Sequence, residues 1–195
     1  MKRLVFATNN PNKLRELREL AGASYDIVSL QEIGCTEEVP ETSDTIRGNA
    51  IQKARYVADR YGVSCFADDT GLEVEALGGA PGVYSARYAG ESKDAQANMR
   101  KLLAALEGEA NRRARFTTYI ALAHPADDEV ELFHGEVTGQ ITTEPGGTAG
   151  FGYDPIFRPD GYDRTFAQLS AEEKNSISHR GRATRKLLER LKGEL

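Results

Sequence analysis

Two cysteines in 195 residues, Cys35 and Cys65, are too few for a disulfide framework, and Cys65 lies inside an apolar run. Their scarcity points to buried, reduced thiols in a cytoplasmic protein. The three histidines, His124, His134 and His179, share no metal-ligand spacing with each other or with the cysteines, which argues against a zinc site. No apolar stretch is long enough to span a membrane, and the start of the chain lacks a secretory core. Neither the Gly-x-x-x-x-Gly-Lys-Ser/Thr phosphate loop nor the Gly-x-Gly-x-x-Gly dinucleotide fingerprint occurs, and no serine–histidine–aspartate arrangement can be read from the spacing. A net charge of −5 disfavours a nucleic-acid polymer or a polybasic membrane contact. It leaves room for a mononucleotide, which needs only a local cluster of cations and a metal. Internal repeats, low-complexity tracts and linkers are also missing, so residues 1–195 read as a single domain.

What is present is a soluble composition, with 39% hydrophobic and 28% charged residues, arranged as alternating strands and helices. Leu4 to Ala7 reads as a buried strand, and Asn10 and Pro11 suit the N-cap and first position of a helix reaching Gly22. Tyr25 to Leu30 is a second strand, and residues 35–44 form a polar, acidic loop. A helix over residues 45–61 carries the stripe Ile46, Ala50, Ala54, Val57 and Ala58. Val63 to Ala67 reads as a strand that stops on Asp68-Asp69, with a separate, half-exposed strand over residues 72–77. A third helix carries Met99, Leu102 and Leu106, and residues 115–123 and 129–141 read as antiparallel strands. Ser170 to Glu173 is a capping box, and Ser178 can cap a last helix with Ala183, Leu187 and Leu191 on its buried face. The pattern predicts an α/β protein with a mixed sheet.

Several positions could carry chemistry. Lys13 falls in the first turn of a helix that directly follows a strand and a polar turn, a position that favours an anion over a cation. His179 and Arg180 repeat the anomaly after Ser178. Asp68 and Asp69 end a buried strand where α/β folds place ligands, or are turn residues before Thr70-Gly71. Neighbours on an extended chain point to opposite faces, so one of the pair is expected at a ligand and the other tied to backbone N–H groups. Glu41 is either a solvated loop carboxylate or a metal ligand. With phosphates supplying the rest, Glu41 and Asp69 suffice for Mg²⁺, which keeps several waters. Lys53 reads as a polar-face lysine unless its face lines a site. Phe151, between Gly150 and Gly152, is either a stacking platform for a base or a core residue.

Five segments, "FATNNPNK", "VPETSDTIRGNAIQKA", "FADDTGLEVEALGGAPGVYSARYAG", "GFGYDPIF" and "TFAQLSAEEKNSISHRGRA", occur together over nearly the whole chain. In order and spacing they resemble the inosine triphosphate pyrophosphatase family. The resemblance implies two α/β lobes on a long mixed central β-sheet with a nucleotide cleft between them. It implies a Mg²⁺-dependent, homodimeric hydrolase that converts ITP, dITP and XTP to monophosphate and pyrophosphate and so cleanses the nucleotide pool. By position, Thr8, Asn9, Asn10, Pro11, Asn12 and Lys13 hold the triphosphate, joined by Lys53 and Thr70. Glu41 and Asp69 serve the metal, with Asp69 as the catalytic carboxylate. Phe151, Gly152, Tyr153, Asp154, Lys174, Ser178, His179 and Arg180 form the base pocket. The chain departs from the family at Gly48, where Glu is usual and a carboxylate near the metal side is expected, at Thr70 for Ser, and at Gly146 for Arg. A pyrophosphatase for another base and a non-catalytic nucleotide sensor are the competing readings.

Overall fold

The computed structural model describes residues 1–193 and is a mixed α/β fold of seven strands and five α-helices among those residues. The strands are β1 (Lys2–Phe6), β2 (Tyr25–Val28), β3 (Cys65–Val74), β4 (Pro81–Gly82), β5 (Arg113–Ala123), β6 (Val130–Ile141) and β7 (Phe157–Pro159). The helices are α1 (Pro11–Ala21), α2 (Ile46–Tyr61), α3 (Ala95–Ala105), α4 (Ala171–Ile177) and α5 (His179–Lys192). The sheet order is β2-β1-β3-β5-β6-β7, with β4 pairing β3. Two compact units divide the chain. The first holds Met1–Asp69, Thr118–Gly135 and the segment from Gly181 onward, and the second holds Thr70–Thr117 and Glu136–Arg180.

In the first unit β1 lies parallel to both β2 and β3, in the registers Leu4↔Ile27 and Phe6↔Phe66. Alternation along these strands sends residues to two faces, each covered by helix. Phe6, Phe66 and Ile27 pack on Leu14 and Leu17 of α1 and on Ala183, Leu187 and Leu191 of α5. The Phe6 and Phe66 rings stack with centroids 4.6 Å apart. On the other face Val5, Ala7, Val28, Cys65 and Ala67 meet Ala50, Ala54, Val57 and Ala58 of α2. Small side chains on α2 let that helix approach the strands closely. Asn10 caps α1 by accepting from the N–H groups of Asn12 and Lys13, at 3.0 and 3.3 Å, worth about 1 kcal/mol.

In the second unit β4 is antiparallel to β3 (Leu72↔Gly82), and β7 is antiparallel to β6 (Ile141↔Phe157). Its core joins Leu72 and Val74 to Met99, Leu102 and Leu106 around α3, and adds Phe116, Phe157 and Phe166. Each such side chain contributes roughly 1.5–3 kcal/mol on burial. The three-residue strand β7 is too short for a periodicity and was not legible in the sequence.

One expectation is corrected. The strand does not stop at Asp68-Asp69; β3 runs unbroken from Cys65 to Val74. Turn propensity at Asp-Asp-Thr-Gly yields because the two halves of β3 find ladder partners, β1 at Cys65 and Phe66 and β4 at Leu72 and Glu73.

The acidic loop after β2 is anchored to the end of α2 by Glu37. Its carboxylate accepts from the Tyr61 hydroxyl at 2.7 and 2.6 Å and pairs with Arg60 Nε at 2.7 Å. The Tyr61 hydrogen bond, above all, pulls Glu37 down to about 2 from 4.5. A depressed carboxyl contributes stability that is present above its unfolded pKa and is lost as pH falls toward the folded value. Glu37→Gln is therefore expected to lower Tm above about pH 5 and to match the unmutated protein near about pH 2. Parallel thermal melts across that range check it; a pH-independent difference contradicts the assignment.

Candidate functional site

The end of β1 and the start of α1 build one side of the candidate site. Thr8 Oγ1 accepts from Asn10 N–H at 3.1 Å, and Asn9 Oδ1 accepts from Gln31 N–H at 2.9 Å. These residues and the Asn10 cap fix the turn, which leaves Lys13 to reach β3. Its ammonium lies 2.9 Å from Asp68 Oδ1, a carboxylate only 1% exposed. The anion expected beside the first-turn lysine is thus supplied in part by the chain itself.

Lys53 is not a solvated polar-face lysine. The packing of α2 on β3 buries it, and its ammonium lies 2.6 Å from Glu41 Oε1, 3.6 Å from Asp69 Oδ1 and 2.6 Å from the Asp68 carbonyl. Burial opposes its charge, but Asp69, Glu41 and Asp68 outweigh burial, and its pKa is raised. Burial also pushes Asp69 up, to about 6, against the pull of Lys53 and Lys13. Asp69 Oδ2 is buried with no hydrogen-bond partner among the described residues. Adjacent strand residues thus present Asp68 to Lys13 and Asp69 to Lys53, in keeping with the alternation of an extended chain.

This donor set fits a hard divalent cation. Glu41 and Asp69 offer carboxylate oxygens on either side of a position already held by one positive group, and Asp69 Oδ2 lacks a partner. No group of three or more His, Cys, Asp or Glu side chains that could hold a metal exists among the described residues.

The second unit gathers the other candidates. Lys174 Nζ lies 2.6 Å from Asp154 Oδ2, with both side chains buried, and 4.7 Å from the centroid of Phe151. The Phe151 N–H donates to the same Asp154 oxygen at 3.0 Å. A Cβ on Gly150 would fall 2.2 Å from that oxygen, in a backbone with φ +71°, so glycine is required there. Arg180, 2% exposed, carries its guanidinium 5.4 Å from the Phe151 centroid and donates to Thr70 Oγ1 at 3.1 Å. Phe151 is therefore a half-exposed ring flanked by two cations. Ser178 is buried immediately before α5. His179 lies nearly parallel to Phe116 at 4.5 Å, so one face of its ring is covered. Tyr153 is buried, and its hydroxyl donates to the Ser85 carbonyl at 2.7 Å. Pro11 is exposed, and Asn12 and Gly152 are partly buried.

Residues 4–190 match the Ham1 family. This chain belongs to the Ham1 family. Within that family it is 54% identical over 189 residues to a Flavobacterium johnsoniae protein named dITP/XTP pyrophosphatase, covering 97% of each chain. It is 50% identical over 190 residues to a Bacillus subtilis protein of the same name, covering 96% of each. The solved Ham1 protein of Staphylococcus aureus is 42% identical, with a TM-score of 0.89 over the whole of both chains. That of Coxiella burnetii is 40% identical, with a TM-score of 0.90 over 99% of this chain and 100% of the other.

Gly48, where the sequence resemblance leads to the expectation of Glu, has a local explanation. It is the third residue of α2, where Glu completes a capping box with the N-cap. Thr45 is that cap, accepting from Gly48 N–H at 2.9 Å, while the Thr45 N–H donates to Ser43 Oγ at 3.3 Å. Ser43 thus takes the contact a capping Glu makes. A Cβ at position 48 would lie 2.0 Å from Ser43 Oγ, so a side chain there must displace the serine. Gly48 is a first-turn residue of α2. Sequence reading also missed Asn49 and Gln52, whose i, i+3 spacing on α2 was the available signal.

Proposed function

We propose that this Ham1 family member hydrolyses deaminated purine nucleoside triphosphates (ITP, dITP and XTP) to the monophosphate and pyrophosphate. The observation that carries the reading is the unpartnered, buried Asp69 Oδ2 beside a lysine clamped by a second carboxylate. The names of the curated relatives support it. Lys13 and Lys53 bind phosphate oxygens, exchanging their present carboxylate contacts for those of the triphosphate. The turn from Thr8 to Asn12 offers a helix N-terminus to the same anion. Glu41 and Asp69 hold Mg²⁺, which when bound supplies neutralisation of developing phosphate charge. Asp69 orients water and takes its proton as the water oxygen bonds to the α-phosphorus and the α–β anhydride bond breaks, its electron pair leaving with pyrophosphate. Phe151 stacks the base, while Lys174 and Arg180 direct donors at it, with Asp154 holding Lys174. Gly152, Tyr153, Ser178 and His179 shape the same pocket. A homodimer follows from the family resemblance, and the two buried free thiols fit a cytoplasmic location.

Chromatography of ITP reactions should show inosine monophosphate and pyrophosphate in equal amounts, and excess chelator should abolish both. Diphosphate with orthophosphate as products, or turnover that survives chelation, contradicts the reading.

A further inference from the structure

We propose that Gln52 is a positioning residue for Glu41, acting through Thr42, and that it sets how readily the site takes up its divalent cation. The inference rests on the reading that Glu41 and Asp69 hold the metal. Those two carboxylates are supported differently. Asp69 is set by a strand that pairs with β1 before it and with β4 after it, whereas Glu41 lies on a loop without regular structure and is 35% exposed. What fixes the loop is the residue after Glu41. Thr42 N–H donates to Gln52 Oε1 at 2.8 Å, and Gln52 Nε2 donates to Thr42 Oγ1 at 2.8 Å. One turn earlier on α2, Asn49 Oδ1 accepts from Ser43 N–H at 2.9 Å.

Two consecutive backbone N–H groups are therefore held by side-chain carbonyls three residues apart on one helix face. The next residue of the helix, Lys53, meets the Glu41 carboxylate itself. Glutamine suits the task because its amide both donates and accepts, matching the hydroxyl and the N–H of Thr42. Leucine can do neither. Glutamate keeps the acceptor for Thr42 N–H, and the threonine hydroxyl then turns to donate. With the clamp lost, Glu41 spends less time where a cation needs it, and apparent affinity falls by the fraction of competent loop.

The test compares the unmutated protein with Gln52→Leu, Gln52→Glu and Thr42→Val. Mn²⁺ binding is followed by spin resonance, and the Mg²⁺ concentration for half-maximal pyrophosphate release is measured at saturating ITP. Gln52→Leu is expected to raise the Mn²⁺ Kd and the Mg²⁺ half-saturation by roughly fivefold to tenfold, the scale of a lost hydrogen-bond pair. At saturating Mg²⁺ its kcat should stay within about twofold, because metal occupancy is then restored. Gln52→Glu should recover most of the shift. Thr42→Val should show part of it, with Gln52→Leu adding less in that background than alone. Unchanged metal titrations in Gln52→Leu, or a shift that Gln52→Glu leaves in full, overturn the proposal while the pyrophosphatase reading stands. An unmutated protein that releases no pyrophosphate at any Mg²⁺ concentration overturns that reading instead.

Discussion

Asp69→Asn is expected to fold normally and to lose roughly 10³-fold or more in kcat, the scale of removing a general base together with a metal ligand. Asparagine nearly preserves the shape of the buried side chain, so packing along β3 is kept. It loses the negative charge that faces Lys53 and replaces a carboxylate one of whose oxygens has no hydrogen-bond partner among the described residues. Lys53 retains Glu41 at 2.6 Å and the Asp68 carbonyl at 2.6 Å, so its ammonium is not stranded. A companion substitution separates chemistry from binding. On the proposed role of Lys13 as a phosphate contact in both ground and transition states, Lys13→Ala should raise KM more than it lowers kcat. Steady-state kinetics on both variants, with circular dichroism to confirm folding, decide the matter. Near-normal kcat in Asp69→Asn would move the catalytic role elsewhere, and Asp68, held by Lys13 at 2.9 Å, is the next candidate.

The parts of this fold that local physics determines could be read directly from the residues. Asn10 and Pro11 fixed the start of α1, the helix read over residues 45–61 matches α2, and the Ser170–Glu173 capping box opened α4, all as the structure has them. What resisted reading depends on partners distant in sequence. Asp-Asp-Thr-Gly reads locally as a turn, and only the pairing of β3 with β1 and β4 makes it a continuous strand. Lys53 carries no local mark of burial; its environment is created by β3 and the Glu41 loop. His179 looked like a first-turn cation, and its stacking on Phe116, 63 positions away by sequence number, could not be seen from its neighbours. At Gly48, where the resemblance leads to the expectation of a carboxylate, the helix-cap contact that a Glu in that position makes is filled by Ser43.

Base choice should follow from the groups around Phe151, which present donors to a ligand. Lys174 and Arg180 carry only N–H donors, and Asp154, the acidic group among them, is engaged by Lys174 at 2.6 Å and by Phe151 N–H at 3.0 Å. Hypoxanthine and xanthine offer an acceptor oxygen at C6, whereas adenine offers an amino group. Placing that amino group against buried donors leaves polar groups unpaired, at about 1–3 kcal/mol each. A site that requires a hydrogen-bond partner can discriminate by roughly 10⁴-fold. ITP and XTP are therefore expected to exceed ATP in kcat/KM by about that factor. GTP shares the 6-oxo group and should be a poor substrate through its 2-amino group, another donor brought to a site of donors. Arg180→Ala should erode the ITP/ATP ratio more than it weakens phosphate binding. Because Arg180 is only 2% exposed, its truncation also leaves a cavity and lowers stability. The ratio of kcat/KM for two nucleotides on one preparation cancels the folded fraction, so selectivity is read free of that loss. Arg180→Lys, which keeps the charge but not the planar fork that reaches Thr70 at 3.1 Å, should fall between the two. Equal kcat/KM for ATP and ITP in the unmutated protein, or an unchanged ratio in Arg180→Ala, would show that these donors do not read the base.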